Sequence, residues 1–128
     1  MDLFRYVQGL NCLCDHLVVC QFPPYNLDHY EGMLRAATGW DTSLVEMFRV
    51  TQRTLTLARM YNLREGHGVA DDRLPKRFFR QHVGGPSANI PLYREEELRR
   101  GIQYYYKIMG WDEDGIPPAG VESKFEDQ

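Results

Sequence analysis

Asn62-Leu63-Arg64-Glu65-Gly66, followed after a short step by Asp71-Asp72-Arg73-Leu74-Pro75-Lys76-Arg77-Phe78, is the stretch from which the fold can be read. It has the form of a long helix running out into an ordered polar loop. Gly66 stands where a helix stops in a left-handed cap, and Arg64 lies in the last turn, where the helix dipole favours a cation. Asp71 and Asp72 can fold back onto local backbone N–H groups, and Pro75 pushes Leu74 into an extended conformation. The charges of Arg64, Glu65, Asp71, Asp72 and Arg77 read as caps and ion pairs that stiffen the loop. Adjacent aspartates diverge and bring no third oxygen ligand, so no divalent-ion site is expected there.

Working back from this stretch, Ser43 and Glu46 have the spacing of a capping box. The helix they open near Asp41 carries Leu44, Phe48, Thr51, Leu55 and Ala58 on one stripe and reaches Asn62, about twenty residues or roughly 30 Å. Before it, Thr38-Gly39-Trp40-Asp41 reads as a helix stop, a Trp anchor and an N-cap, closing a shorter helix over Leu27 to Ala37. Residues 2–20 read as a first helix, with Asp2 as N-cap and Leu3, Tyr6, Val7, Leu10, Leu13, Cys14 and Leu17 recurring at helical spacing, stopped by Pro23-Pro24. Forward from the opening stretch, residues 66–91 form a connection too long for a compact domain unless it packs on something or serves a site. A fourth helix covers Tyr93 to Met109, with Leu98, Ile102, Tyr105, Tyr106 and Met109 inward and Gly110 as its stop. Asp112-Glu113-Asp114-Gly115 is an acidic turn whose spacing does not fit a calcium loop. One further helical turn is expected near Val121 to Phe125. No strand pattern and no repeat occur, so the expectation is one all-α domain over residues 1–128.

Of the 128 residues, 43% are hydrophobic and 26% charged, values of a soluble globular chain. The formal charge of −3 comes without a basic stripe, which gives no reason to expect nucleic acid. No apolar run has membrane-spanning length and no signal-peptide pattern opens the chain, so a cytoplasmic location is expected. The three cysteines, Cys12, Cys14 and Cys20, are an odd number and one short of a four-thiolate site. His16 could complete the set, but its spacing fits no standard zinc pattern.

Four blocks, in one colinear order from Asp15 to Pro117, resemble the C-terminal region of the tungsten-containing aldehyde ferredoxin oxidoreductase family. They are Asp15-His16-Leu17-Val18-Val19-Cys20, Thr38-Gly39-Trp40-Asp41, the Asn62 to Phe78 stretch, and Tyr104-Tyr105-Tyr106 through Gly110-Trp111-Asp112 to Gly115-Ile116-Pro117. The resemblance implies an irregular helical domain of about four main helices with one long ordered loop. In the family the first block has the form Asp-x-x-Gly-Leu-Cys. There the Asp and the residue before the Cys hold one of two pterin ligands of tungsten, and the Cys is the last ligand of a [4Fe–4S] cluster. By resemblance, Asp15 and Val19 would bind cofactor and Cys20 would be the metal ligand.

Family enzymes oxidise aldehydes to carboxylates and pass electrons to ferredoxin. The resemblance places the other cluster cysteines and the second pterin motif in upstream domains that this chain does not contain. It therefore implies a part of an enzyme, not catalytic alone, with the missing upstream domains or subunit as partner. Self-association, or a partner covering helix one and the long loop, is the matching expectation.

Two departures bear on this. Val18 stands at the family's glycine, and a β-branched residue resists the positive φ that would let the backbone turn between Asp15 and Cys20. On a continuous helix those two would point roughly 140° apart. Thr51-Gln52-Arg53 stands where the family reads Gly-Glu-Arg. Both departures, together with the missing upstream ligands, favour a second reading, a free-standing helical interaction module that kept the fold and lost the redox role.

Overall fold

The computed structural model describes residues 1–81, 83–86, 88 and 93–121. Four α-helices occur among them: α1 (Asp2–Leu17), α2 (Leu27–Thr38), α3 (Leu44–Arg64) and α4 (Glu95–Met109). Short 3₁₀ turns at Val69–Asp71 and Lys76–Phe79 punctuate the connection from α3 to α4, and no strand element occurs among the described residues. The all-α reading holds. The turn expected near Val121 to Phe125 lies, past Val121, outside the described residues, as does part of the 66–91 connection. Among the described residues no helix is long and apolar enough to cross a membrane.

Helix α3 is the axis. Its start is fixed as the sequence predicts: Ser43 Oγ accepts from the Glu46 N–H at 3.3 Å, and Glu46 Oε2 accepts from the Ser43 N–H at 3.3 Å. Glu31, reaching across from α2, accepts from the Leu44 N–H at 2.5 Å. That contact satisfies a first-turn donor and sets a negative charge at the positive end of the helix dipole. Trp40 is exposed rather than an anchor. The loop is instead fixed by its backbone, whose Trp40 N–H donates to Thr38 Oγ1 at 3.1 Å, and Asp41 pairs with Arg35 at 2.9 Å instead of capping.

Helix α1 lies across α3, and Gly9 is the point of closest approach. A Cβ there would sit 3.0 Å from Phe48 Cδ1 and 3.3 Å from Thr51 Oγ1. Thr51 is only 1% exposed, and its hydroxyl is satisfied by donating to the Phe48 carbonyl at 2.9 Å. The room that Thr51 fills on α3 is thus left by Gly9 on α1. Gln52, the second departure on this face, accepts from Arg5 Nη2 at 2.8 Å.

The core gathers Leu13, Cys14, Tyr30 and Met47, with Leu10, Leu17, Val19, Leu27, Met33, Leu34 and Leu44 packed around it. On α3 the buried positions are Met47, Thr51, Thr56 and Arg59, so the stripe is more polar than apolar periodicity anticipates, and Ala58 is exposed. The first turns of α1 are left uncovered: Leu3 is 75% exposed, and Phe4 and Val7 are exposed too. Asp2 sits inside the first turn, with Met1 as N-cap, and accepts from the Tyr104 hydroxyl at 3.0 Å.

Candidate functional site

Helix α1 ends at Leu17, three residues earlier than its periodicity suggests, because Val18 takes the left-handed conformation at φ 55, ψ 38. The Val18 N–H donates to the Asp15 carbonyl at 3.2 Å and the Val19 N–H to the Cys14 carbonyl at 3.0 Å. This pair of bonds is the Schellman cap. Among the described residues Val18 is the one non-glycine residue with positive φ. The resistance expected of its β-branch is overcome: the roughly 1–2 kcal/mol cost of a left-handed L-residue is offset by two capping bonds and by Val19 seating on the core.

The turn sorts the three residues singled out from the sequence. Asp15, in the last turn of α1, is exposed; Val19 is half-buried against the core; Cys20 is exposed. Among the described residues neither the Asp15 carboxylate nor the Cys20 thiol has a hydrogen-bond partner. One carboxylate and one thiol are thus left free to contact a group outside the chain, separated by a backbone reversal instead of continuous helix.

The remaining candidate ligands are otherwise engaged. Cys14 is buried, its sulfur 3.4 Å from the Tyr30 hydroxyl. Burial, and then the Asp15 charge, push the Cys12 thiol up, against thiolate formation. His16 has both ring nitrogens occupied, Nδ1 by the Cys12 carbonyl at 2.6 Å and Nε2 by Thr54 Oγ1 at 2.9 Å. Among the described residues no three metal-ligating side chains come together.

A second polar assembly, around Arg59, was not legible in the sequence. Its Nε donates to the Gly115 carbonyl at 2.9 Å, Nη1 to Asp72 Oδ1 at 3.2 Å and Nη2 to the Tyr106 hydroxyl at 3.3 Å, and Nη2 pairs with Asp72 Oδ2 at 2.9 Å. The Tyr106 hydroxyl in turn donates to Asp72. Burial first, and then that bond, push the Tyr106 phenol up to about 12. The guanidinium lies 5.4 Å from the Tyr106 ring centre and 5.7 Å from that of Trp111. Gly115 is obligatory here, at φ 71 with a Cβ that would meet Arg59 Nη2 at 2.5 Å. Of the loop charges, Asp72 joins this node and Asp71 accepts from the Gly68 N–H at 3.0 Å. Arg64 and Glu65 form an exposed pair, and Arg77 lies over Phe78. Asp72 of the Asn62 to Phe78 block and Tyr106 and Gly115 of the Tyr104 to Pro117 block, distant in sequence, therefore meet on Arg59, which lies in neither block.

Residues 1–124 match the family model described as aldehyde ferredoxin oxidoreductase, domains 2 and 3. The chain belongs to the aldehyde ferredoxin oxidoreductase family. The tungsten-containing aldehyde ferredoxin oxidoreductase of Pyrococcus furiosus is 37% identical over 120 residues, which is 90% of this chain and 19% of that protein. The enzyme of the same name from Thermococcus kodakarensis is 37% identical over 115 residues, 87% of this chain and 18% of that one. No solved structure gives a significant match. The chain thus spans about a fifth of the length of the curated relatives it matches. Within the oxidoreductase family it corresponds to a C-terminal part.

Proposed function

We propose that the chain is the C-terminal part, a single helical domain, of a cytoplasmic tungsten bis-pterin, iron–sulfur aldehyde:ferredoxin oxidoreductase, and that it is inactive by itself. Asp15 and Val19 contact one pterin, and Cys20 is the last thiolate of a [4Fe–4S] cluster. When bound, the tungsten centre supplies the two-electron oxidation of aldehyde to carboxylate, and the cluster carries the electrons singly toward ferredoxin. The observation that carries this reading is the left-handed cap at Val18. It gives the segment the backbone turn that a shared cofactor edge requires, and it leaves Asp15 and Cys20 exposed, without a hydrogen-bond partner among the described residues. A carboxylate that only accepts hydrogen bonds suits a polar pterin edge, and an exposed thiol suits an iron ligand.

The departures that favoured an interaction module lose their force. Val18 makes the turn, Gly9 accommodates Thr51, and Gln52 is held by Arg5. Upstream domains or a separate subunit supply the other ligands and cover the exposed start of α1.

Metal analysis under anaerobic conditions tests the reading. The chain alone should hold neither iron, acid-labile sulfide nor tungsten at stoichiometry. The assembled enzyme should hold tungsten and roughly four irons per cluster. Its visible absorption and its aldehyde-dependent reduction of ferredoxin should be lost in Cys20→Ala. Cluster-level iron and sulfide on the isolated chain would overturn the assignment of Cys20 as one ligand among four.

A further inference from the structure

Five segments of the chain wall a cavity of about 550 Å³ beside the Arg59 node. Phe4 from α1, Leu55 from α3, Leu74 from the loop and Ile102 from α4 give it apolar sides, and Trp111, just beyond α4, adds an indole. The rings are set against one another: Phe4 meets Tyr105 edge-on at 5.7 Å, and Tyr105 meets Trp111 edge-on at 5.8 Å. Burial is the first cause that pushes the Tyr105 phenol up, as it is at Tyr106 on the same wall. An apolar recess with convergent polar groups and displaced phenols has the usual form of a small-molecule site.

The charge balance of the lining says which kind of molecule. Asp72 is the one acidic residue among the described residues of the lining, and both its carboxylate oxygens are taken. Oδ1 accepts from Arg59 Nη1, and Oδ2 meets Arg59 Nη2 and the Tyr106 hydroxyl. Arg59 and Asp72 therefore cancel. Arg73 is left over: it is exposed, and among the described residues its guanidinium has no carboxylate partner. The cavity offers aromatic surface and one unneutralised cation.

We propose that this cavity binds a small aromatic monocarboxylate, its ring against Phe4, Tyr105 and Trp111 and its carboxylate on Arg73. A planar guanidinium takes a carboxylate in two parallel hydrogen bonds, and aromatic walls gain most from an aromatic body packed at their faces and edges. A neutral molecule of the same shape loses the ion pair, and a cationic one meets Arg73 with no free carboxylate to offset it. The inference stands apart from the reading of Asp15, Val19 and Cys20 and uses none of those residues.

The probe is 2-naphthoate, with 2-naphthylmethanol and 2-naphthylmethylamine as its neutral and cationic counterparts, titrated into the full 128-residue chain. The chain has two tryptophans, so its nitrogen–proton correlation spectrum carries two indole signals, which Trp40→Phe assigns. 2-Naphthoate should shift the Trp111 signal saturably, with a Kd below about 1 mM, and leave the Trp40 signal in place. The alcohol should bind roughly fivefold more weakly, and the amine more weakly still. Arg73→Glu should weaken 2-naphthoate by roughly fivefold or more. Ala58→Phe enlarges an exposed residue of the lining and should abolish the shift. Both substitutions are at exposed positions, so the thermal midpoint should stay at its wild-type value and lost binding is not lost fold. The proposal is overturned if the wild type gives no saturable shift, if the amine binds as well as the carboxylate, or if the Trp40 signal moves as far as that of Trp111. Wild-type affinity in Ala58→Phe would remove the cavity as the site, and wild-type affinity in Arg73→Glu would remove Arg73 as the carboxylate's partner.

Discussion

Helix α1 and helix α4 end in the same hydrogen-bond pattern built on opposite residues. At the end of α4 the Gly110 N–H donates to the Lys107 carbonyl at 3.2 Å and the Trp111 N–H to the Tyr106 carbonyl at 2.9 Å, with Gly110 at φ 75. Helix α3 ends likewise: the Gly66 N–H donates to the Leu63 carbonyl at 3.1 Å and the His67 N–H to the Asn62 carbonyl at 2.9 Å. At the end of α1 the same pair of bonds closes over Val18. Where glycine sits, the left-handed turn is intrinsic to the residue. Where valine sits, the surroundings impose it. The two kinds of end also lead to different places: α4 runs into the Arg59 node, and α1 into a segment bearing the exposed Cys20 thiol. The difference teaches that a left-handed cap can form without glycine where the next residue, here Val19, is held by the core.

The largest expected effect lies on the α4 side. Arg59→Ala leaves the Asp72 carboxylate and the Gly115 carbonyl without their cation and should cost about 3–5 kcal/mol in chemical denaturation. A loss below about 1 kcal/mol would mean that the node is not what rigidifies this end. The same node sets an alkaline limit. The Tyr106 phenol, about 12 in the fold and near 10 when unfolded, binds more protons in the native state between those values. Its contribution is complete below about pH 10 and is lost as pH rises through about 12. Tyr106→Phe should flatten that alkaline decline, and an unchanged slope would assign it to another group.

Exchanging the cap residues breaks the comparison directly. Gly110→Val places a β-branched residue at φ 75 and should cost about 1–2 kcal/mol, read as a lowered denaturation midpoint at unchanged slope. Val18→Gly should do the reverse. It relieves the left-handed strain but returns entropy to the unfolded chain, for a net gain of about 0.5–1 kcal/mol. If Val18→Gly destabilises the chain, the valine is making contacts that its exposure does not suggest. The smallest effect is expected at Gln52→Glu, which turns the part-buried Arg5 contact into an ion pair. No more than about 1 kcal/mol is expected, fading in high salt.

Much of the fold was open to reading because it is locally encoded. The Ser43 and Glu46 capping box, the Gly66 and Gly110 stops, and the inward set Leu98, Ile102, Tyr105, Tyr106 and Met109 all follow from periodicity and terminus chemistry. Each choice is made within a turn or two of chain. The candidate residues Asp15, Val19 and Cys20 came from colinear resemblance, since no local rule distinguishes an exposed carboxylate and thiol with a purpose from those without one.

What escaped was whatever depends on distant partners. Arg59 carries no local signal, because Asp72, Tyr106 and Gly115 reach it from later parts of the chain. Trp40 looked like an anchor, because burial of an indole is decided by neighbours that the local sequence does not name. The room for Thr51 is made by Gly9, which lies on another helix. Sequence alone determined the four helices, the Ser43 and Glu46 capping box and the glycine stops, since backbone propensity and terminal hydrogen bonds are short-range. Tertiary structure alone decided that Val18 turns left-handed and that Arg59 is buried. At Val18 the seating of Val19 on the core outweighed a local preference worth about 1–2 kcal/mol. At Arg59 the carboxylate, carbonyl and hydroxyl that meet the guanidinium offset a desolvation cost on the order of several kcal/mol.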